Sequence, residues 1–222
     1  MVQPGPAVSQ VWGILIHEPL TAVAVLDRDG RRLWVNDQCV QIIKGPQGRA
    51  SDFMGRSLEE TFPGAFAQIL RGVIDEVLSS GEAVLLRSVW RGVQYLTWIY
   101  EIQPGEEPGG MVDARVLLMT RPANSDDLKR YEAHPGVKVK FAAVVELGSL
   151  NVLTHRELEI LALIGQGLSL PDIASMLGRS PKTIEKHREA IGRKLGMNDR
   201  LALAEVARRA GLTVADAERQ RL

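Results

Sequence analysis

The chain has a single cysteine, Cys39. One thiol excludes an intramolecular disulfide framework and any cysteine-rich metal or iron–sulfur site within one chain, and it suits a reducing compartment. There is no excess of either charge: 27 Lys+Arg face 27 Asp+Glu, so the average over the chain says nothing for or against a nucleic-acid partner. No stretch of eighteen consecutive apolar residues occurs, and no basic segment followed by an apolar run opens the sequence. A soluble, unexported cytoplasmic protein with no membrane partner is the expectation. Aromatics make up only 5% of the residues within a 45% hydrophobic content, and 222 residues suffice for two small cores. No internal repeat or low-complexity tract is present.

The distribution of charge is more informative than its sum. Residues 1–120 carry 10 Lys+Arg against 14 Asp+Glu, whereas residues 151–222 carry 12 against 9, so the chain runs from acidic to basic. Along it, residues 7–17 place Val8, Trp12 and Leu15 at helical spacing ahead of Pro19, and residues 1–20 read as an N-terminal helical cap. From Thr21 the pattern turns to short strands: TAVAVLD, the turn DRDG with Gly30 at its positive-φ position, and RRLWVND. Helices are expected for DQCVQII, GRSLEETF and AFAQILRGVIDEVLSSG, the last with Ile69, Val73 and Val77 on one face and Gly81 as its stop. AVLLRSVW, YLTWIYEI and ARVLLMT follow as strands, the second and third separated by the loop QPGEEPGGM. Residues 122–150 hold the breakers Pro122, Pro135 and Gly136 and read as a linker with one short amphipathic element.

Two strands, helices and three strands make an α+β domain with a five-stranded antiparallel sheet over residues 21–121. In element order, in the DRDG turn and in VNDQCVQIIKG, with its Asn at a helix start, this region resembles a PAS domain, although Gln38 stands where that family usually has a small residue. The resemblance implies a sensor. Trp34, Cys39, Trp90 and Trp98, with Tyr95 and Tyr100, are candidates for lining a ligand pocket, against which stands an ordinary packed core with some ring edges exposed. No cofactor or metal is expected. Haem needs an axial ligand, and His17, His134, His155 and His187 all lie outside the helical middle. Cys39 stands in NDQCVQ and not in the Asn-Cys-Arg-type motif of a photosensory flavin domain, and it reads as a small buried hydrophobe. The paired acids and phosphoacceptor of a receiver domain are missing too.

The last seventy residues carry denser signals. Thr154 and Glu157 have capping-box spacing with Leu153 and Leu158 as a staple across them, and Ser169 and Asp172 repeat the box with Pro171 in the first turn. Gly178 supplies a turn, Ser180 and Pro181 open the next helix, and Gly196 closes it. Two helices joined by a short turn containing Gly, over about 169–195, form a helix-turn-helix, whose second helix enters the DNA major groove. On that helix Ile184, Ile191 and Leu195 face one way, while Lys182, Glu185, Lys186, Glu189 and Arg193 share the opposite arc. Lysine can donate to guanine and glutamate can accept from cytosine. Between Arg179 and Arg200 stand seven basic residues and three acidic ones, an excess that phosphate contact explains. Arg188 and Lys194 flank the buried side and suit phosphate better than base edges. His187, between the two faces, suits a structural role.

From LTHRELEILALIGQG to ALAEVA the sequence resembles the LuxR-type (GerE-like) DNA-binding domain, with matches at Leu153, Thr154, Arg156, Glu157, Gly165, Gly167, Ile173, Ala174, Leu177, Thr183, His187, Arg188, Lys194, Leu195 and Arg200. The resemblance implies an all-α four-helix domain over 151–215, a third helix that meets DNA through Lys182, Thr183, Glu185, Lys186 and Glu189, and a fourth, about Arg200 to Ala210, that dimerises. Glu185 stands where several family members have Lys, which bears on the operator and not on the activity. Leu201, Leu203, Ala204 and Val206 are the candidate dimer contacts, shared with the domain core by face. The sequence thus reads as a regulator and not an enzyme: a homodimer on double-stranded DNA, with RNA polymerase a further candidate partner. A flavin or haem light or redox sensor, and a PAS-like protein-interaction module, stay open as alternatives.

Overall fold

A computed structural model describes residues 20–102, 115–123, 125–132 and 136–222. The expected helix at 7–17, most of the cap at 1–20, the loop at 103–111, and His17 and His134 lie outside the described residues. The described chain divides into two compact units. The first runs up to Leu86 and includes Thr97–Pro122; the second combines Arg87–Leu96 with Ala123–Leu222.

The first unit contains β1 (Ala22–Leu26), β2 (Arg32–Val35), α1 (Asp37–Lys44), α2 (Gly64–Ser80), the leading part of β3 (Val84–Trp90), most of β4 (Val93–Ile102), and β5 (Arg115–Pro122). The layout is PAS-like: two strands, helices, then three strands, with sheet order β2-β1-β5-β4-β3. β1 is buried at all five positions and runs antiparallel to β2 on one side and to β5 on the other. The β1–β2 turn closes through Gly30 N donating to Asp27 O at 3.0 Å. Gly30 has φ +72°, and Arg71 of α2 fills the space a Cβ would need while donating to the carbonyls of Arg28 and Asp29. At the start of α1, Asn36 caps by accepting from Cys39 N at 3.0 Å. It also receives Val23 N at 3.0 Å and donates to Thr21 O at 2.9 Å, which ties the helix to β1. Helix α2 buries Phe66, Leu70, Val73, Ile74 and Val77 and ends at Gly81 in the left-handed region.

Two differences from the sequence reading stand out. GRSLEETF is not a helix. Ser57 and Glu60 do exchange capping bonds, but Arg32 takes Ser57 O at 2.9 Å, Thr61 Oγ1 takes the carbonyls of Ser57 and Leu58 at 3.1 Å each, and Pro63 disfavours α geometry at Phe62. The second difference lies in 122–150, where a linker with one element was expected. There the structure has α3 (Ser125–Glu132), β6 (Lys138–Phe141) and β7 (Val144–Val145), and β6 adds a sixth strand beside β3.

The second unit is otherwise helical: α4 (His155–Gly165), α5 (Leu170–Met176), α6 (Pro181–Leu195) and α7 (Arg200–Arg209), followed by the short β8 (Gln220–Arg221), which pairs in parallel with β7. Its core gathers Leu153, Leu158, Leu161, Ile164, Ile173, Ile184, Ile191, Leu203 and Ala207 around α4. Among the described residues no helix is long and apolar enough to cross a membrane.

Candidate nucleic-acid interface

Each of the helices α4 to α7 starts on a side-chain cap. Thr154 accepts from Glu157 N at 3.2 Å while Glu157 Oε2 accepts from Thr154 N at 2.7 Å; Ser169 and Asp172 repeat the box; Ser180 accepts from Thr183 N at 3.2 Å with Pro181 behind it. The α5–α6 turn passes through Gly178 at φ +61°, and α6 stops at Gly196 at φ +68°. Two arginines on neighbouring helices hold the turns by their carbonyls. Arg156 donates to Leu177 O at 3.2 Å, ahead of α6, and Arg200 donates to Leu168 O at 2.6 Å, ahead of α5. At the crossing of α4 and α7 a Cβ on Gly165 would stand 2.6 Å from the Cβ of Ala207, so the glycine is what lets these helices approach.

These contacts orient α6. Ile184 and Ile191 are buried and Leu195 packs against the same core, so the opposite side of the helix faces out. Lys182, Lys186, Glu189 and Arg193 are all exposed, at i, i+4, i+7 and i+11, which places them in one row along the helix. Lys182, Lys186 and Arg193 make no ion pair with a described residue. A row of three cations and one carboxylate can neutralise phosphates and present donors and an acceptor to base edges.

The remaining candidates are placed differently. Thr183 is half-buried and its hydroxyl shares a 2.9 Å hydrogen bond with Ser180, inside the cap. Glu185 and Arg188 are bound to one another, with Arg188 Nη2 donating to Glu185 Oε1 at 2.7 Å. That bond raises the guanidinium's pKa above its ordinary value. Lys194 turns back onto α4: its Nζ lies 2.6 Å from Glu157 Oε2, a carboxylate whose side chain is 6% exposed. Burial pushes the Glu157 pKa up, but hydrogen bonds from Lys194 and Thr154 and the lysine's charge outweigh it, so the carboxyl sits below its usual range. The Lys194–Glu157 pair and the contacts of Arg156 and Arg200 are what periodicity could not assign, since each reaches a helix other than its own.

On α7 the four candidate dimer contacts separate. Leu203 is fully buried in the core and presents nothing to a partner; Ala204 and Val206 pack partly against the core; Leu201 is 68% exposed. In the first unit, Thr97 shares a 2.9 Å hydrogen bond with Thr120, whose register partner is Ala22, so Trp98 lies on the other face of the sheet, where it stacks on Tyr100 at 5.6 Å. Trp34 stands opposite Val25, which pairs with Leu117. Cys39, expected as a small buried hydrophobe, is half-buried on α1; Arg32 is a buried arginine set over the rings of Phe53 at 4.9 Å and Phe62 at 5.5 Å. Trp90 and Tyr95 belong to the second unit.

Residues 151–207 match the family model GerE, bacterial regulatory proteins of the luxR family. The Salmonella typhimurium transcriptional regulatory protein UhpA is 39% identical over 70 residues, 32% of this chain and 34% of that protein. The oxygen regulatory protein NreC of Staphylococcus aureus is 44% identical over 57 residues, 26% of each chain. The matched stretch spans about a third of UhpA or less, so it relates one part of the two proteins. Among solved structures, a Vibrio cholera VqmA complex with ligand and DNA aligns at 19% identity with a TM-score of 0.48, covering 99% of this chain and 96% of that one. With its four capped helices, its glycine turn and the family match falling on the same residues, the segment 151–207 is a LuxR-type helix-turn-helix domain, carried in this chain beside a PAS-like unit.

Proposed function

We propose that the chain is a sequence-specific transcriptional regulator. Its LuxR-type domain lays α6 into the major groove and binds a two-fold operator as a homodimer, and its PAS-like unit senses a ligand or a partner. No step is catalytic. The observation that carries the reading is the exposed row Lys182, Lys186, Glu189, Arg193 on the helix that follows the Gly178 turn. Lys186 and Glu189, at its middle, are the base-reading candidates; Lys182, at the first turn, and Arg193, at the last, suit phosphates. Glu185 modulates this row through Arg188. Leu201, with the exposed edge of Ala204 and Val206, forms the α7 dimer contact. The cytoplasm is the matching compartment, and RNA polymerase is a partner such a regulator would meet once on DNA.

Selection of bound sequences from a random DNA pool tests this reading directly: a palindromic consensus supports it, and recovery of no consensus overturns it. With two or three phosphates per protomer, affinity falls roughly 10²- to 10³-fold between about 50 and 200 mM salt. Lys186→Ala is expected to cost about 1–3 kcal/mol and to relax specificity at one position of the consensus.

A further inference from the structure

Strands β3 and β4 start in one compact unit and finish in the other, since the division falls between Leu86 and Arg87 and again between Leu96 and Thr97. Within the second unit, the hairpin end they form is held at two points. At its middle, Arg87 is wholly buried; its Nε donates to Gln94 Oε1 at 2.9 Å, Nη1 to Asp216 Oδ1 at 2.5 Å, and Nη2 to Asp216 Oδ2 and Gly211 O at 2.7 Å each. Asp216 is 1% exposed and also accepts from Thr213 N at 2.8 Å and Arg219 Nη1 at 2.7 Å. Gln94 passes the contact on to Ala123 O at 3.2 Å. Gly211 follows the C-cap of α7, and a Cβ there would collide with the Gln94 amide. At the hairpin's tip, Glu146 accepts from Arg91 N at 2.6 Å and from Gly148 N at 2.9 Å, a few residues ahead of α4.

A fully desolvated bidentate pair breaks even against an apolar pair in stability, so its distinctive property is that it permits a single geometry. The LuxR-type match begins at residue 151, yet Gly211 O, in the turn that finishes α7, accepts a side-chain hydrogen bond from Arg87. We infer that the end of the β3–β4 hairpin is a working part of the helix-turn-helix unit, and that the Arg87–Asp216 pin carries any shift of those two strands to the C-terminal turn of α7. α7 is the helix assigned to dimerisation above, so the consequence for DNA rests on that reading, whereas the coupling itself does not.

Hydrogen exchange read by mass spectrometry on the full chain tests the coupling. Asp216→Asn removes the carboxylate and leaves the shape. Exchange is expected to rise on the order of 10- to 100-fold in both Arg87–Leu96 and the 211–218 turn, in step, with Ala22–Leu26 unchanged. A rise confined to 211–218 overturns the inference. Should Asp216→Asn fail to fold, Glu146→Gln loosens the second clasp. Peptides covering 90–93 and 146–150 are then expected to speed up together, and protection of 90–93 unchanged would refute the coupling. On an operator selected as above, Asp216→Asn weakens dimer binding tenfold or more; unchanged affinity with raised exchange refutes the route to α7. A wild-type chain that binds no DNA removes the proposed function and leaves the exchange result standing.

Discussion

Lys194→Met separates two roles that the sequence alone assigns to the same residue. The composition of α6 suggests a phosphate contact for Lys194, whereas its ammonium sits 2.6 Å from a carboxylate that is 6% exposed. The lysine side chain itself is 37% exposed, so the loss falls between that of a surface pair, about 0.2–1 kcal/mol, and that of a broken buried pair, about 3–5 kcal/mol. About 1.5–2 kcal/mol is a fair expectation, or a fall in Tm of roughly 6–14 °C for a unit of this size. The effect has a pH signature. The Glu157 pKa is depressed in the folded state, so the pair's stabilisation is complete above the unfolded glutamate value of about 4.3 and fades as acid titrates the folded carboxyl. Melting curves of wild type and variant should therefore lie apart at neutral pH and draw together as acid titrates the folded carboxyl, below the ordinary glutamate range. Binding measured over a salt series should keep its slope. A Tm unchanged at pH 7, with a slope reduced by about 1.8 per dimer, would refute the assignment and return Lys194 to the phosphates.

Three further expectations use other parts of the structure. Leu203→Ala should destabilise the second unit by about 2–5 kcal/mol in denaturant titration, while Leu201→Asp should leave stability within about 0.5 kcal/mol and reduce the dimer seen on operator DNA. Burial pushes the Cys39 thiol up to about 11 against the pull of Arg32, so at pH 8 only about one molecule in a thousand is thiolate. A disulfide reagent should then label native protein far more slowly than urea-unfolded protein, and equal rates would refute that placement. Ser180→Ala should cost about 1 kcal/mol by freeing the first turn of α6, visible as faster amide exchange at Thr183.

What could be read in advance follows from the range of the interactions. The helix starts at Thr154, Ser169 and Ser180 and the turns at Gly178 and Gly196 involve residues within three or four positions of each other, and each stands in the structure where its spacing implies. Segment 55–62 has the same local signals and is not a helix; there Arg32, 25 residues away from Ser57, and the Thr61 hydroxyl take the Ser57 carbonyl. Lys194 finds Glu157 across 37 residues, a partnership that no periodicity announces. Helix α3 went unread for another reason: it is polar, with Asp126 and Asp127 in its first turn and Lys129 and Arg130 in its last, so its signal is charge order and not an apolar stripe. For α7, spacing could say that its leucines divide by face but not which one faces inward. The approach of Gly165 to Ala207 decides that.

The irregular pairing of β2 bears on how chains of this layout tolerate changes in length. Val25 faces Trp34 but Leu26 faces Arg32, so Leu33 has no counterpart on β1 and stands 41% exposed. Without that extra residue the pleat would continue regularly, with Arg32 still opposite Leu26 and its guanidinium still over Phe53 and Phe62. Position 33 is therefore where β2 can lose a residue and leave Arg32, Trp34 and Val35 on the faces they occupy now. Among sequences that share this sheet, a gap of one residue belongs opposite Leu33, and a strand aligned without it would turn the buried arginine outward on paper only.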